Sequence, residues 1–204
     1  MPPQTILALT SFTWKNYDCS SHISFPLFHA DYPWNITFPF QTREILLSFK
    51  GKSYSDVQHH RTFFRHLHNG NDILIEYTDE EKSSSNSDEY LRLLSRSKFC
   101  LVPNGRRLYS YRFLECLQYA CIPVITTENN ESILLPFSEI IDWSDAVIVY
   151  SNRSLSLMIR FLRQIDETQQ KRMQQRCSEI WSNYFSSIPR IVSTFLDILR
   201  DRFV

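Results

Sequence analysis

Short apolar runs alternate with longer amphipathic stretches from residue 43 to the end of the chain. The apolar runs stop at glycine, proline or polar residues, and they predict buried strands at 43–49, 73–77, 99–102, 121–125 and 146–150. Apolar positions three or four residues apart predict helices at 57–68, 87–94, 111–120, 155–165, 168–185 and 189–199. Strands that alternate with helices predict an α/β fold in which helices cover both faces of a parallel sheet.

Residues 1–42 differ from the rest of the chain because prolines interrupt their apolar pieces. A short strand is predicted at 23–28, which its proline ends, and this segment offers that strand no obvious partner. We therefore expect 1–42 to be the end of a larger unit whose first part is missing. The helices within 166–204 are expected to pack back across it.

The stretch 98–124 carries the clearest chemical signal. Its first strand ends at 103–105, Arg106 and Arg107 follow, and Ser110 is predicted to cap the helix that leads to the second strand. The loop after a strand lies at the carboxyl edge of a parallel sheet, where ligands bind in open α/β folds. Because a helix N-terminus also attracts anions, we expect a phosphate group there.

Two further groups of residues fit a nucleotide. Arg112 and Glu115 lie one helical turn apart on a shared face, which supplies a cation for phosphates and an acceptor for ribose hydroxyls. The alternative is an exposed ion pair without a ligand.

Lys50 and Lys52 flank Gly51 after the strand 43–49, where glycine would let the backbone turn or approach a ligand. Because the spacing of a P-loop is absent, a solvated lysine pair is the alternative.

The composition limits the partners. The formal charges of the 22 basic and 22 acidic residues cancel, so broad electrostatic attraction to nucleic acid is not expected. No apolar run is long enough to span a membrane, and the first residues lack the pattern of a signal peptide. His66 and His68 lie on different sides of their predicted helix, which argues against a metal site.

The chain has five cysteines and no C-x-x-C pair. Cys100 and Cys121 lie on neighbouring predicted strands, which could bring them within the roughly 5.5–6 Å between Cα atoms that a disulfide needs. Such a bond would indicate an oxidising compartment. Buried free thiols are the alternative.

Taken together, these segments resemble the signature of the exostosin glycosyltransferases, which build the heparan sulfate backbone. The similarity rests on F-C-L-V-P at 99–103, G-R-R-L at 105–108, R-F-L-E at 112–115 and C-I-P-V at 121–124. It extends over nearly the entire chain, through 24–28, 49–52, 68–70, 136–143, 184–187 and 201–202.

The resemblance implies a GT-B fold, with two Rossmann-like halves and the sugar nucleotide held mostly by the second. Residues 1–42 would then be a remnant of the N-terminal half, 43–165 the donor-binding half, and 166–204 the helices that cross back. The implied reaction is inverting transfer of glucuronic acid from UDP-glucuronic acid to a growing glycosaminoglycan. A second exostosin subunit would be a partner, and no tightly bound cofactor is implied. Family members are membrane-anchored glycoproteins of the Golgi or ER lumen.

By the same resemblance, Arg112 would bind the diphosphate and Glu115 the ribose. The family's donor site is also matched at Ser110, Lys50, Lys52, Tyr54 and Arg61. Arg106 of the basic loop is expected to bind the donor as well. Cys100 and Cys121 match a family disulfide, and no catalytic base is identified.

The sequence departs from the family at two positions of the basic loop, where Asn104 replaces an arginine and Tyr109 replaces a glycine. By the same resemblance, we expect the chain to begin inside the first half-domain, as an N-terminally truncated member of the family. The alternative function is therefore a non-catalytic subunit that binds UDP or supports a partner polymerase.

Overall fold

A five-stranded parallel sheet forms the centre of the molecule. The structure, a computed structural model, describes residues 5–10, 12–29, 42–52, 63–78, 87–103, 110–127, 133–151 and 154–203. The strands are β1 Leu7–Leu9, β2 His22–Ser24, β3 Ile45–Lys52, β4 Ile73–Thr78, β5 Ser97–Pro103, β6 Ile122–Thr127 and β7 Ile148–Ser151. The large sheet has the order β4-β3-β5-β6-β7 with every neighbouring pair parallel, which confirms the predicted α/β fold class.

The described helices lie between and after these strands. They are α1 Ser87–Arg96, α2 Arg112–Gln118, α3 Leu155–Gln164, α4 Glu167–Ile180 and α5 Ile188–Phe203. Of the helix predicted at 57–68, the described part is a short 3-10 turn at Phe64–Leu67. The helix predicted at 168–185 instead ends at Ile180 and continues as a π turn at Trp181–Phe185, which buries both of its terminal aromatic side chains.

Both faces of the sheet are covered by apolar side chains. In β5, Phe99 and Leu101 pack with residues such as Met158 on one face, while Cys100 and Val102 pack on the other. Successive strand residues point to opposite faces, so a strand buried on both sides must be apolar throughout. This requirement explains why β5 and β6 are the most easily recognised strands in the sequence.

Arg43, which precedes β3, fixes the ends of two helices beneath the sheet. Its buried guanidinium donates to the carbonyl oxygens of Leu94 (3.0 Å), Ser97 (2.7 Å) and Tyr119 (2.6 Å). These carbonyls lie at the C-terminal ends of α1 and α2, where the helix dipole favours a cation. Burial lowers the pKa of Arg43 to about 10, so the side chain still carries its charge at neutral pH.

Helix α2 begins later than predicted. Tyr111 occupies its N-cap position without a side-chain capping bond, and Ser110 instead contributes its backbone carbonyl, which accepts from Phe113 N at 3.0 Å. The prediction that the Ser110 side chain caps this helix is therefore wrong. At the other end Ala120 adopts a φ of 48°, and Cys121 N donates to Cys116 O at 2.9 Å, as in a Schellman motif.

The end of α2 delivers Cys121 to the neighbouring strand. Its Cα atom lies 5.8 Å from that of Cys100, and the two sulfur atoms are at bonding distance. Cys116 and Cys177 are buried free thiols, and Cys19 is an exposed one.

The N-terminal segment packs against the C-terminal part of the chain. β1 and β2 form a separate parallel pair, and Phe25 lies edge-on to Phe137 and Phe195 at centroid distances of 5.8 and 5.6 Å. The strand predicted at 23–28 is shorter than expected because β1 offers it three partners and Pro26 follows. Among the described residues, no helix combines the length and apolar character needed to cross a membrane.

Candidate functional site

Arg112 occupies a site built by three elements at the carboxyl edge of the sheet. It is the first residue of α2, and only 8% of its surface is exposed. Its Cζ atom lies 4.7 Å from the ring centroid of Phe49 in β3 and 4.9 Å from that of Tyr90 in α1. Two aromatic faces therefore hold the guanidinium by cation–π contact without neutralising its charge.

Gly51 makes room for this arrangement. A Cβ atom at this position would lie 3.1 Å from Arg112 Nη2 and 3.0 Å from Phe49 Cζ. The predicted strand end is wrong here, because β3 continues to Lys52 and Gly51 lies within it. The glycine is thus required by the close approach of two side chains rather than by a turn.

Glu115 is bound by Tyr90 and not by Arg112. The Tyr90 hydroxyl donates to Glu115 Oε2, and burial raises the pKa of Tyr90 well above its usual value, so the hydroxyl keeps its proton. Arg112 and Glu115 form no ion pair with each other, although both belong to the described part of the chain. The alternative of an exposed ion pair is therefore excluded.

One donor of Arg112 is left open. Among the described residues, its buried Nη1 atom has no hydrogen-bond partner. Buried donors in folded proteins are nearly always satisfied, and a guanidinium presents several of them in a fork that matches phosphate. The site can therefore accept an anion beside the aromatic rings.

Lys50 is paired within the protein. Its Nζ atom lies 3.0 Å from Glu76 Oε2 and 2.8 Å from Glu89 Oε2. Burial alone would lower the pKa of Lys50, but the bonds to Glu89 and Glu76 outweigh burial and raise it. The lysine is thus charged, and two carboxylates already share that charge.

The remaining predicted site residues are less well defined. Ser110 lies half-buried, immediately before the cap residue of α2. Lys52 ends β3, and only its backbone is described. Tyr54, Arg61 and Arg106 lie outside the described residues.

Sequence reasoning missed three aromatic contributors. Phe49 and Tyr90 read only as core positions, because nothing near them in the sequence indicates that they face Arg112. His29 stacks on Tyr111 with a centroid distance of 3.5 Å, which brings the N-terminal segment beside the start of α2. This contact joins residues too distant in the chain for any spacing rule to predict.

Comparison with known proteins places these residues in a family context. The Exostosin GT47 domain matches residues 2–165. Over 98% of its length the chain is 35% identical to exostosin-1b of Danio rerio and 34% identical to exostosin-1 of Mus musculus, and it spans 30% of each relative. Among solved structures, a GtfA/B complex matches with a TM-score of 0.48 and 13% identity over 89% of this chain and 40% of that chain. TarM matches with a TM-score of 0.46 and 10% identity over 87% and 39%.

Proposed function

The chain belongs to the exostosin GT47 family, and from this premise we propose that it binds a UDP-sugar at the carboxyl edge of its sheet. The observation that carries the proposal is the buried Arg112 guanidinium, which has aromatic partners and an open Nη1 donor. A diphosphate oxygen would fill that donor and balance the charge. Glu115, whose Oε2 accepts from Tyr90, would use its other oxygen for the ribose hydroxyls.

We propose further residues for the donor site because they match the family's donor-site positions or belong to the basic loop. Lys50 belongs to β3, whose backbone passes Arg112 at Gly51, so a phosphate bound by Arg112 would lie close to that strand. The remaining members are Ser110, Lys52, Tyr54, Arg61 and Arg106.

We further propose that the reaction is inverting transfer of glucuronic acid from UDP-glucuronic acid to a growing glycosaminoglycan of the heparan sulfate type. Cations at the donor site would stabilise the leaving diphosphate as its charge develops. A carboxylate would take the proton of the attacking hydroxyl. A GT-B arrangement would form the cleft between two Rossmann-like halves.

The cysteine pair supports an oxidising location. We propose that Cys100 and Cys121 form a disulfide in the folded protein, because their Cα atoms lie 5.8 Å apart on neighbouring strands. A disulfide of this kind is typical of proteins in the secretory pathway, which fits the Golgi or ER lumen.

A non-catalytic UDP-binding subunit is the second candidate. It is favoured by the pairing of Lys50 with Glu76 and Glu89, which leaves fewer free cations for a leaving diphosphate. A transfer assay with labelled UDP-glucuronic acid and a heparosan oligosaccharide distinguishes the two, because only a catalyst yields elongated product.

Binding of UDP tests the donor site. We expect UDP at a hundred times its Kd to increase the free energy of unfolding by about 2.7 kcal/mol, and UMP to have a much smaller effect because it lacks the second phosphate. Arg112→Gln should abolish the UDP effect. Arg92→Gln, which removes an exposed arginine from α1, should retain it. The proposal fails if the unmutated chain shows no thermal response to UDP.

A further inference from the structure

A second cleft lies at the amino edge of the sheet, away from Arg112. Its volume is ≈ 640 Å³, and it is lined by residues just before β3, by Lys98 at the start of β5, and by one side of α4. Lys98 and the last residue of β5, Pro103, are five positions apart, which corresponds to roughly 16 Å along the strand. The second cleft therefore lies at the opposite end of the sheet from the carboxyl edge where Arg112 lies.

The second cleft is basic in a chain whose formal net charge is zero. Its lining includes the cations Arg43, Lys98 and Lys171 and a single carboxylate, Glu167. Lys171 pairs with Glu167 at 2.8 Å, whereas neither Arg43 nor Lys98 forms an ion pair with any described residue. Three cations and one carboxylate thus border one cavity, and this excess of positive charge favours an anionic ligand.

Three glutamine amides and Thr42 supply the rest of the polar lining. Gln174 is only 7% exposed, and its side-chain amide has no hydrogen-bond partner among the described residues. Gln170 is also buried, and its Nε2 atom donates to Ile165 O at 2.7 Å. An amide carries both donors and an acceptor, so an amide without a protein partner at the wall of a cavity is suited to hydroxyl groups.

We propose that this cleft is a second glycan site, which binds an oligosaccharide bearing uronic acid carboxylates. Lys98 and Lys171 would hold the carboxylates, and the glutamine amides would hold the sugar hydroxyls. A nucleic acid is disfavoured, because none of the described residues that line the cleft is aromatic and bases bind by stacking on such residues. The class of glycan rests on the proposed function, since a glycosaminoglycan acceptor continues beyond the reacting sugar.

The test measures binding of a heparosan decasaccharide to the full chain by isothermal titration calorimetry. We expect binding that weakens as salt is raised, and none to a neutral maltose oligomer of equal length. Lys98→Gln combined with Lys171→Gln should weaken binding roughly tenfold. Arg172→Gln, on the same helix but outside the lining, should leave it unchanged.

Gln174→Leu separates a ligand-binding role from a structural one. Because the Gln174 amide makes no hydrogen bond to a described residue, leucine breaks none and should leave the melting temperature unchanged or raise it, yet it should weaken heparosan binding several-fold. Gln169→Leu is the matched control on the exposed side of α4.

The proposal is overturned if the unmutated chain does not bind heparosan, or if the double lysine variant binds as well as the parent. The UDP titration is run on the same samples. Heparosan binding without a UDP response would remove the donor site and keep this cleft, whereas a UDP response without heparosan binding would do the reverse.

Discussion

Tyr90 links the two side chains that the proposed donor site depends on. Its ring lies 4.9 Å from Arg112 Cζ, and its hydroxyl donates to Glu115. One residue of α1 thereby orients two residues of α2, and the cation and the acceptor remain separate although they share a helical face. A direct ion pair between Arg112 and Glu115 would occupy both groups, whereas each of them contacts Tyr90 instead.

Tyr90→Phe tests this orienting role. The ring remains beneath Arg112, but Glu115 loses the hydrogen bond that fixes its carboxylate, so we expect UDP affinity to fall roughly fivefold to tenfold. The loss should be confined to ribose recognition. We therefore expect the parent to prefer UDP over 2′-deoxy-UDP and the variant to lose most of this preference.

The control for this experiment is Tyr150→Phe, which removes a tyrosine hydroxyl that donates to Ser154 O from β7, the edge strand of the sheet. It should bind both nucleotides as the parent does. An unchanged preference for UDP in Tyr90→Phe would show that Glu115 does not contact the ribose through this arrangement.

At the scale of elements, the proposed bond between Cys100 and Cys121 would close the crossover β5-α2-β6. The two residues are 21 positions apart, and a cross-link around a loop of this length stabilises a fold by about 3 kcal/mol, chiefly by restricting the unfolded chain. We therefore expect dithiothreitol to lower the free energy of unfolding by about this amount in urea titrations.

The variant Cys100→Ala with Cys121→Ala serves as the reference, because its stability should not respond to the reductant. Thiol titration of the unfolded parent should then count Cys19, Cys116 and Cys177 alone before reduction. A count of all five cysteines before reduction would contradict the proposed bond.

The elements most visible in the sequence are those buried on both sides. The runs around Leu101 and Val124 predicted β5 and β6 because a two-sided core leaves no position for polar residues. The ends of strands and helices were less predictable, because they depend on contacts between residues that are remote in sequence. β3 continues through Lys50 to Lys52 by pairing with β4, and Ser110 lost its predicted capping role to backbone bonds.

The candidate site could be predicted only in part for the same reason. Arg112 and Glu115 were identifiable from helical spacing, since both belong to one helix. Phe49, Tyr90 and Gly51 belong to other elements, and their role depends on the strand order that places β3 beside β5. A sequence pattern reports neighbours along the chain, whereas this site is assembled by neighbours across the sheet.

At the scale of the whole molecule, a buried carboxylate joins the N-terminal segment to the rest. Glu139 accepts hydrogen bonds from Ser24 N (2.7 Å), Ser24 Oγ (2.8 Å) and Tyr17 Oη (2.7 Å). Arg202, near the end of α5, lies 3.8 Å from the same carboxylate and donates to His22 O at 3.0 Å. Burial, followed by the bond to Glu139, raises the pKa of Tyr17 to about 12, so this hydroxyl remains a donor.

Glu139→Ala should therefore loosen the N-terminal segment. The substitution leaves the Ser24 amide and the Tyr17 hydroxyl without their acceptor and removes the counter-charge of Arg202, so we expect a loss of about 3 kcal/mol in the free energy of unfolding. Limited proteolysis should cut within 5–29 before the sheet is attacked, because the core on one face of the sheet contains no described residue of that segment. Asp145→Ala, which removes an exposed carboxylate nearby in sequence, should match the parent in both measurements. If Glu139→Ala unfolds within 0.5 kcal/mol of the parent, roughly the effect of an ordinary surface substitution, the segment is held by the contacts of Phe25 with Phe137 and Phe195 and not by the carboxylate.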